Sequence, residues 1–248
     1  IDLIIDDIVE NDEKLKLHSF LKKWLDTKII GELDCLLKLK NINSVNAQIR
    51  ALSYQLYENN GVVKREEVLD IINNLNQDER KTLRNLGVKF GRYHIFLFKL
   101  FKPAIVSLRI LLWKNFNGKD LNLYPPTFGL NFVNDIKYQN KKFMLLCGFE
   151  KFDSFFVRID ILERLFIEII NSSENKSNKI KLIPKMLNLL GCNKESFVKV
   201  IKLMGYKVFD ERNETFFKYK PFKKIKKSLD LKINKDNPFE ALKQLNLK

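Results

Sequence analysis

The stretch LGVKFGRYHIFLFKLFKPAIVSLRILLW, residues 86–113, decides the fold of this chain. Gly87 follows Leu86 at a position where a left-handed residue typically ends a helix. The next residues are rich in β-branched and aromatic side chains and are interrupted at Gly91, which predicts an extended segment with a bulge or a close backbone approach. Pro103 then stands where a proline commonly starts a helix. The pattern predicts a helix end, an extended segment and a second helix, with most of the stretch in the core.

This stretch resembles a signature block in the C-terminal half of bacterial superfamily-two helicases related to the mitochondrial degradosome RNA helicase. In that family an L-G-V-x-F-G segment runs into an aromatic and aliphatic patch, a Lys-Pro pair and a helix ending in Leu-Trp. The matching residues here are Leu86, Gly87, Val88, Phe90, Gly91, Lys102, Pro103, Leu112 and Trp113. Further matching segments follow in the family's order: Trp24-Leu25, Val157–Asp160, Leu162–Leu165, Leu190–Cys192, Leu203–Tyr206 and Asn237–Phe239. The similarity spans most of the 248 residues and depends on the order of these motifs.

The resemblance implies that this chain is the C-terminal accessory region of an ATP-dependent RNA helicase. The motor domains, with their ATP and Mg²⁺, would then lie upstream of Ile1. The absence of an initiator methionine is expected of a fragment, and equally of a mature or trimmed product. The chain itself lacks a phosphate-binding loop, because its Gly118-Lys119 pair is followed by Asp120 rather than by Ser or Thr. We therefore expect no cofactor and no ATP turnover in this chain, and we expect it to position single-stranded RNA for the motor.

The overall charge independently favours a polyanionic partner. The chain has 45 lysines and arginines against 30 acidic residues, a formal net charge of +15 and a sequence pI of about 9.6. Nucleic acid is the commonest partner of such a surface. An AT-rich genome, which raises the lysine, asparagine and isoleucine content, is an alternative source of the same surplus.

The cysteines and histidines exclude several other classes of protein. Cys35, Cys147 and Cys192 are odd in number and far apart, which argues against a disulfide framework and for a reducing compartment. Together with the isolated His18 and His94 they do not form the clustered ligands of a zinc site. We find no nucleophile placed beside a base, and no run of about 18 apolar residues that would span a membrane. The sequence predicts a cytoplasmic protein without membrane contact.

We predict a mainly α fold. Residues 1–114 are predicted to form a helical bundle with a short extended insertion, because apolar residues recur at i, i+3, i+4 and i+7 in several segments. Residues 115–131 contain two adjacent prolines and no period, which is typical of a linker. Residues 132–222 are predicted to form a small α+β winged-helix-like domain, and residues 223–248 a basic arm and terminal helix. No internal repeat is predicted.

The winged-helix prediction depends on three helices followed by a β-hairpin. Asp160 is expected to cap the first of these helices. Gly191 and Gly205 are expected to end the second and the third. The hairpin is predicted to pair Tyr206–Asp210 with Thr215–Tyr219.

Lysines crowd into the segment that begins at the end of this hairpin. They would neutralise phosphates, which makes binding steeply dependent on salt, and Tyr219 and Phe222 would add base stacking worth roughly 1–3 kcal/mol each. In the alternative, Phe222 is buried and the lysines only keep a tail in solution. The predicted nucleic-acid-binding residues are Lys218, Lys220, Lys223, Lys224, Lys226, Lys227, Lys207, Arg212, Lys89 and Arg92. Lys194, Lys199 and Lys202, on the preceding helix, favour the same role.

Two other functions remain open on the sequence. A stand-alone winged-helix DNA-binding regulator would prefer one particular duplex, and a preference for single strands would exclude it. A protein-interaction scaffold, for instance one that docks a ribonuclease, would expose the aromatic patch at Phe90–Phe101 as its interface.

Overall fold

The computed structural model of the chain describes residues 3, 10–43, 46–118, 123–134, 140–172, 179–211 and 214–219. Helix is the predominant secondary structure in these residues, and their strands form three small antiparallel sheets. The mainly α prediction therefore holds at the level of fold class. The structure has three sheets, whereas the prediction placed strands only in a short insertion of the first part and in one α+β domain.

The first part of the chain combines five helices with a three-stranded sheet. Its elements are α1 (Asn11–Glu32), α2 (Asp34–Lys40), α3 (Ala47–Glu58), β1 (Val62–Lys64), α4 (Leu69–Asn73), α5 (Gln77–Asn85), β2 (Val88–Phe90) and β3 (His94–Leu97). Strand β3 is antiparallel to both β1 and β2. The extended segment predicted around Gly91 is confirmed as the β2–β3 hairpin. Strand β1 was not predicted, because three residues are too few to show a period.

The middle part begins with a 3-10 helix and the helix that starts at Pro103. Its elements are the 3-10 helix (Phe98–Phe101), α6 (Pro103–Asn117), β4 (Phe132–Asn134), α7 (Lys141–Leu146), β5 (Phe149–Phe152) and β6 (Phe155–Arg158). Pro103 occupies the first turn of α6, as predicted. Strand β6 lies between β4 and β5 and is antiparallel to both.

The last part contains the predicted helices and hairpin. Its elements are α8 (Ile159–Asn171), β7 (Ile180–Lys181), α9 (Pro184–Leu190), α10 (Lys194–Leu203), β8 (Tyr206–Glu211) and β9 (Glu214–Tyr219). The hairpin and the helix end at Gly191 are confirmed. The prediction that Asp160 caps α8 is wrong, because Arg158 is the N-cap residue and Asp160 lies in the first turn. There the Asp160 Oδ2 accepts a hydrogen bond from Arg158 Nη2 at 2.6 Å.

The three sheets share one topology. Their strand orders are β1-β3-β2, β4-β6-β5 and β7-β9-β8, so the last strand in sequence is always the central one. A glycine with positive φ precedes the second strand each time: Gly87 at 93°, Gly148 at 89° and Gly205 at 88°. The sequence shows no internal repeat, but the order of strands in the sheets does repeat. The repeated parts share a topology and one glycine, which a search for similar sequence does not detect.

We refer to residues 47–97, 103–158 and 159–219 as the first, middle and third units. Each of the three larger apolar clusters is centred on one unit, but the first also includes α2 and the start of α6, and that of the third unit includes residues of β6. A smaller cluster connects the units. This cluster consists of Val62 and Phe96 from the first sheet, Phe101 from the 3-10 helix and Ile159 from the start of α8. Burial of these side chains packs the first unit against the start of the third.

Candidate nucleic-acid interface

A buried carboxylate on α8 fixes the turn between β2 and β3. Glu163 Oε1 accepts hydrogen bonds from the backbone N–H groups of Tyr93 at 2.9 Å and His94 at 2.8 Å, and Oε2 accepts from that of Arg92 at 2.5 Å. A Cβ atom at Gly91 would lie 2.7 Å from the His94 carbonyl oxygen and closer still to the Glu163 carboxylate. The close backbone approach predicted at Gly91 is confirmed, and Glu163 is the group that approaches.

The same carboxylate is part of a buried network that connects all three units. His94, which is 3% exposed, places Nδ1 3.4 Å from Glu163 Oε1 and Nε2 3.5 Å from Glu150 Oε2. Lys64 Nζ lies 2.7 Å from Glu150 Oε1. Lys64 and His94 belong to the first unit, Glu150 to the middle unit and Glu163 to the third. The network is therefore a junction between units.

The junction shifts two pKa values in opposite directions. Burial alone would lower the pKa of His94, but the carboxylates of Glu150 and Glu163 raise it above its usual 6.5. Burial alone would raise the pKa of Glu150, but the His94 ring and the Lys64 ammonium lower it below its usual 4.5. The charged forms of both groups are therefore favoured in the folded chain.

We expect the free energy of unfolding to reach its plateau between about pH 4.5 and pH 6.5. The raised pKa of His94 gives stability that is complete below pH 6.5 and is lost as the pH rises through the folded value. The lowered pKa of Glu150 gives stability that is lost as the pH falls from 4.5 through its folded value. Urea denaturation between about pH 3 and about pH 9, a range that brackets the titration of both groups, measures this profile.

The matched control for this profile compares two histidines. His94→Gln should flatten the decline on the alkaline side, whereas His18→Gln, at an exposed position of α1, should keep it. An alkaline decline of the same size in the His94→Gln variant would contradict the assignment.

The junction also directs the Arg92 side chain towards the third unit. The guanidinium carbon lies 5.6 Å from the ring centre of Phe166 on α8 and 5.7 Å from that of Tyr219 on β9. Its Nη2 donates a hydrogen bond to the Tyr219 hydroxyl at 3.2 Å. Arg92 is exposed. One predicted binding residue from the first unit therefore lies beside the last strand of the third.

The third sheet has an inner face in the core and an outer face in solvent. Along the paired strands β8 and β9, Lys207 is opposite Lys218 and Phe209 is opposite Phe216. Residues that are directly opposite lie on the same face of a sheet. On β7, Lys181 pairs with Phe216. We call this outer surface the lysine–phenylalanine face, and its members are Lys179, Lys181, Lys207, Phe209, Phe216 and Lys218.

Two aromatic rings lie at the centre of the lysine–phenylalanine face. The rings of Phe209 and Phe216 are nearly parallel, with an interplanar angle of 16° and centres 6.2 Å apart. Both residues are partly exposed. Lys179 Nζ lies 5.2 Å from the centre of the Phe209 ring, within the distance of a cation–π contact.

The charges on this face are unevenly distributed. Lys179 and Lys181 form ion pairs with Glu211 and Glu214, which flank the tip of the hairpin. Lys207 and Lys218 lie at the opposite end, are exposed and have no acidic partner among the described residues. Like charges directly opposite each other on paired strands destabilise a sheet. An anion that binds between these two lysines would relieve that repulsion.

The structure brings together part of the predicted binding set. Lys207 and Lys218 share one face, and Arg92 contacts Tyr219, the residue after Lys218 on β9. Lys89 is exposed on β2, in a different sheet. The remaining predicted residues lie outside the described part of the chain: Lys220, Lys223, Lys224, Lys226, Lys227 and Arg212, together with Phe222.

The two phenylalanines were not among the residues predicted from the sequence. The sequence carries little signal for them, because Val208-Phe209 and Phe216-Phe217 are adjacent apolar pairs, and only the strand register shows which member of each pair faces outwards. Tyr219, which was expected to stack on a base, is 41% exposed and its ring contacts Tyr206 and Arg92. Its partners place it at the junction between the first and third units.

The aromatic patch at Phe90–Phe101 is not the exposed surface that a protein interface would need. Phe96 and Phe101 are buried and their rings stack with centres 5.3 Å apart. Phe98 is 48% exposed. The expectation of an exposed aromatic patch is therefore wrong for Phe96 and Phe101, which fill the apolar cluster between the units, while Phe90 and Tyr93 are partly buried against the other cores.

Other kinds of site receive no support from the part of the chain that the structure covers. It contains no group of three or more His, Cys, Asp or Glu side chains arranged to hold a metal ion. It also contains no helix with the length and apolar character needed to cross a bilayer.

Comparisons of the chain with protein-family models, with curated proteins and with solved structures find no match.

Proposed function

We propose that this chain is the nucleic-acid-binding accessory region of an ATP-dependent RNA helicase and acts in the cytoplasm. In this role it positions single-stranded RNA for a motor carried by other residues of the parent protein. The observation that carries the proposal is the exposed pair Lys207 and Lys218, directly opposite each other on β8 and β9 without an acidic partner in the described residues. A polyanion satisfies both lysines at once.

The architecture that presents this pair also supports the proposal, because two of the three units have the order of elements of a winged helix. The first and third units each run helix, strand, two helices and hairpin, with the last strand central in the sheet. That order is typical of a winged helix, a fold that often binds nucleic acid with its third helix and its hairpin. The middle unit has the same sheet order with one described helix between β4 and β5.

Two of the segments that resemble the helicase family meet in the fold. Gly91 and Glu163 belong to two different segments that carry the resemblance, and they lie side by side in the fold. Both residue types are needed there, because the carboxylate enters a turn that has no room for a Cβ atom.

The proposed activity is electrostatic capture rather than bond breaking. Phosphate contacts position a strand without reading its sequence, and they weaken as salt rises because binding releases counterions. The surplus of 15 positive charges raises the local concentration of RNA around the chain. The motor then receives a strand that is already aligned.

The double variant Lys207→Glu/Lys218→Glu tests the proposal. We expect its affinity for a single-stranded oligouridine to fall by at least about tenfold at low salt, because two phosphate contacts are replaced by repulsion. The slope of log K against log salt should become shallower by about 1.4, since each phosphate contact on a single strand contributes about 0.7. Fluorescence anisotropy with labelled RNA between about 50 and 200 mM KCl measures both quantities.

The matched control reverses the charge of two exposed lysines of α1. Lys22→Glu/Lys23→Glu changes the net charge by the same amount at a distant site. Equal losses of affinity in the two double variants would mean that net charge, not this face, drives binding. Unchanged affinity in both variants would contradict nucleic-acid binding by the lysine–phenylalanine face.

One observation favours a second candidate, the duplex-DNA-binding regulator. Lys199 and Lys202 are exposed on α10, the helix that precedes the hairpin of the third unit. In helix-turn-helix proteins the corresponding helix enters the major groove. A duplex DNA that competes better than single-stranded RNA in the same anisotropy assay would favour this candidate over the first.

A further inference from the structure

We propose that Phe209 and Phe216 stack two neighbouring unpaired bases of an RNA strand while Lys207 and Lys218 hold the adjoining phosphates. The face would thereby distinguish single-stranded from duplex RNA. This inference depends on the proposed function for the choice of RNA as the polyanion. It adds the two side chains that detect whether the bases are paired.

The position of the two rings is unusual for a surface that only meets water. An antiparallel sheet with one face on the core normally carries polar residues on its other face. Here the outer face carries two phenylalanines on adjacent strands, nearly parallel and 6.2 Å apart. Aromatic side chains on neighbouring strands of a sheet are a general platform on which two or three bases stack.

The lysines are placed to hold the backbone of the same strand. Lys207 precedes Phe209 by two residues and Lys218 follows Phe216 by two residues, so each lies on the same face about 7 Å along its strand. Lys179 Nζ also lies 5.2 Å from the centre of the Phe209 ring, although its charge is paired with Glu211. The rings are thus flanked by cations, as a strand of alternating bases and phosphates requires.

Stacking on this face requires bases that are free of partners. In a duplex the faces of the bases are covered by their neighbours, whereas unpaired bases can be splayed out onto aromatic rings. The lysines contact phosphates, which both single strands and duplexes expose. Selectivity for single strands therefore comes from Phe209 and Phe216, while the lysines supply affinity for either form.

The alternative role for the two rings is structural. Aromatic pairs across antiparallel strands stabilise a hairpin whether or not a ligand binds. Leucine at both positions keeps apolar side chains on the hairpin but removes the π surface. Tyrosine at both positions keeps the π surface. The two kinds of variant therefore separate stacking from hairpin stability.

The test measures binding of the full chain to an oligouridine of about 12 nucleotides, within the site size of one single-strand-binding domain, and to an RNA duplex. We expect Phe209→Leu/Phe216→Leu to weaken oligouridine binding by at least about tenfold, because stacking is worth roughly 1–3 kcal/mol per base and a tenfold change is about 1.4 kcal/mol. Its salt slope and its duplex affinity should stay unchanged. Phe209→Tyr/Phe216→Tyr should bind as the original chain does.

Tyr124→Leu is the matched control, since Tyr124 is an exposed aromatic residue on the segment before β4 and does not belong to this face. If the leucine variant of the two phenylalanines binds oligouridine normally while Lys207→Glu/Lys218→Glu does not, the stacking inference is wrong and the proposed function stands. If neither variant loses affinity, both are wrong. If the same leucine variant loses single-strand and duplex binding equally, together with its thermal stability, the rings are structural and the inference is again overturned.

Discussion

Replacing Glu163 with alanine is expected to lower the free energy of unfolding by about 3–5 kcal/mol, the usual cost of breaking one side of a buried charge pair. The change would leave the backbone N–H groups of Arg92, Tyr93 and His94 without their acceptor. It would also leave His94 with one flanking carboxylate, that of Glu150. Each buried donor without a partner costs about 1–3 kcal/mol. Urea denaturation followed by circular dichroism measures the loss.

Glu168 provides the matched control on the same helix. Glu168 Oε2 lies 2.9 Å from Lys185 Nζ in a surface pair whose lysine is 69% exposed and whose glutamate is 29% exposed. Such surface pairs contribute about 0–1 kcal/mol. Glu168→Ala should therefore have a small effect. Losses of similar size in the two variants would mean that Glu163 does not hold the junction.

Replacing Gly91 with alanine is expected to destabilise the chain by about 1–3 kcal/mol, as overpacking in a closely packed site does. The added Cβ would overlap the Glu163 carboxylate and lie 2.7 Å from the His94 carbonyl oxygen. The effect comes from space rather than from backbone conformation, because Gly91 does not have a positive φ. Thermal and urea unfolding of the single variant measure it.

Gly31→Ala is the control for this prediction. Gly31 lies within α1, and a Cβ atom added there would meet no other atom within 4 Å, so alanine should stabilise the helix by about 0.5–1 kcal/mol.

In the Glu163→Ala background the overlap with the carboxylate at Gly91 disappears. Gly91→Ala should then cost less by about 0.5–3 kcal/mol, the usual coupling of residues in contact. Strict additivity would contradict the contact.

The junction also has a consequence for binding. Glu163 holds the backbone of Arg92, and the Arg92 side chain contacts Tyr219 at the end of β9. Lys218 precedes Tyr219 on the same strand. The first unit therefore supports the end of the third sheet at which Lys207 and Lys218 lie. We infer that the first and third units together present the lysine–phenylalanine face.

Local sequence signals were sufficient for most of the helices and hairpins. Pro103 starts α6, Gly191 ends α9, and the β8–β9 hairpin pairs the predicted residues, because each depends on neighbours in sequence. Asp160 is the exception. Its side chain was expected to cap α8 but instead binds Arg158, since an arginine two residues away offers a charged partner.

Features that depend on residues far apart in the chain could not be predicted from local sequence. Strand β1 has three residues and β7 has two, and both exist because a neighbouring strand pairs with them. The threefold topology was missed for the same reason. Within the candidate site, the lysines were identified from charge alone. Phe209 and Phe216 were identified only from the strand register, which places them on the solvent side of the sheet.

By itself the sequence determined the mainly α fold class, the strongly basic character and the absence of a phosphate-binding loop, and it limited Gly91 to a bulge or a close backbone approach. These properties depend on composition, on short periods and on the conformational limits of single residues. Only the tertiary structure decided that Glu163 is the group that needs Gly91, that Lys207 faces Lys218, and that two phenylalanines lie between lysines. These contacts join residues far apart in the chain, and burial and strand pairing choose such partners only when the whole chain packs.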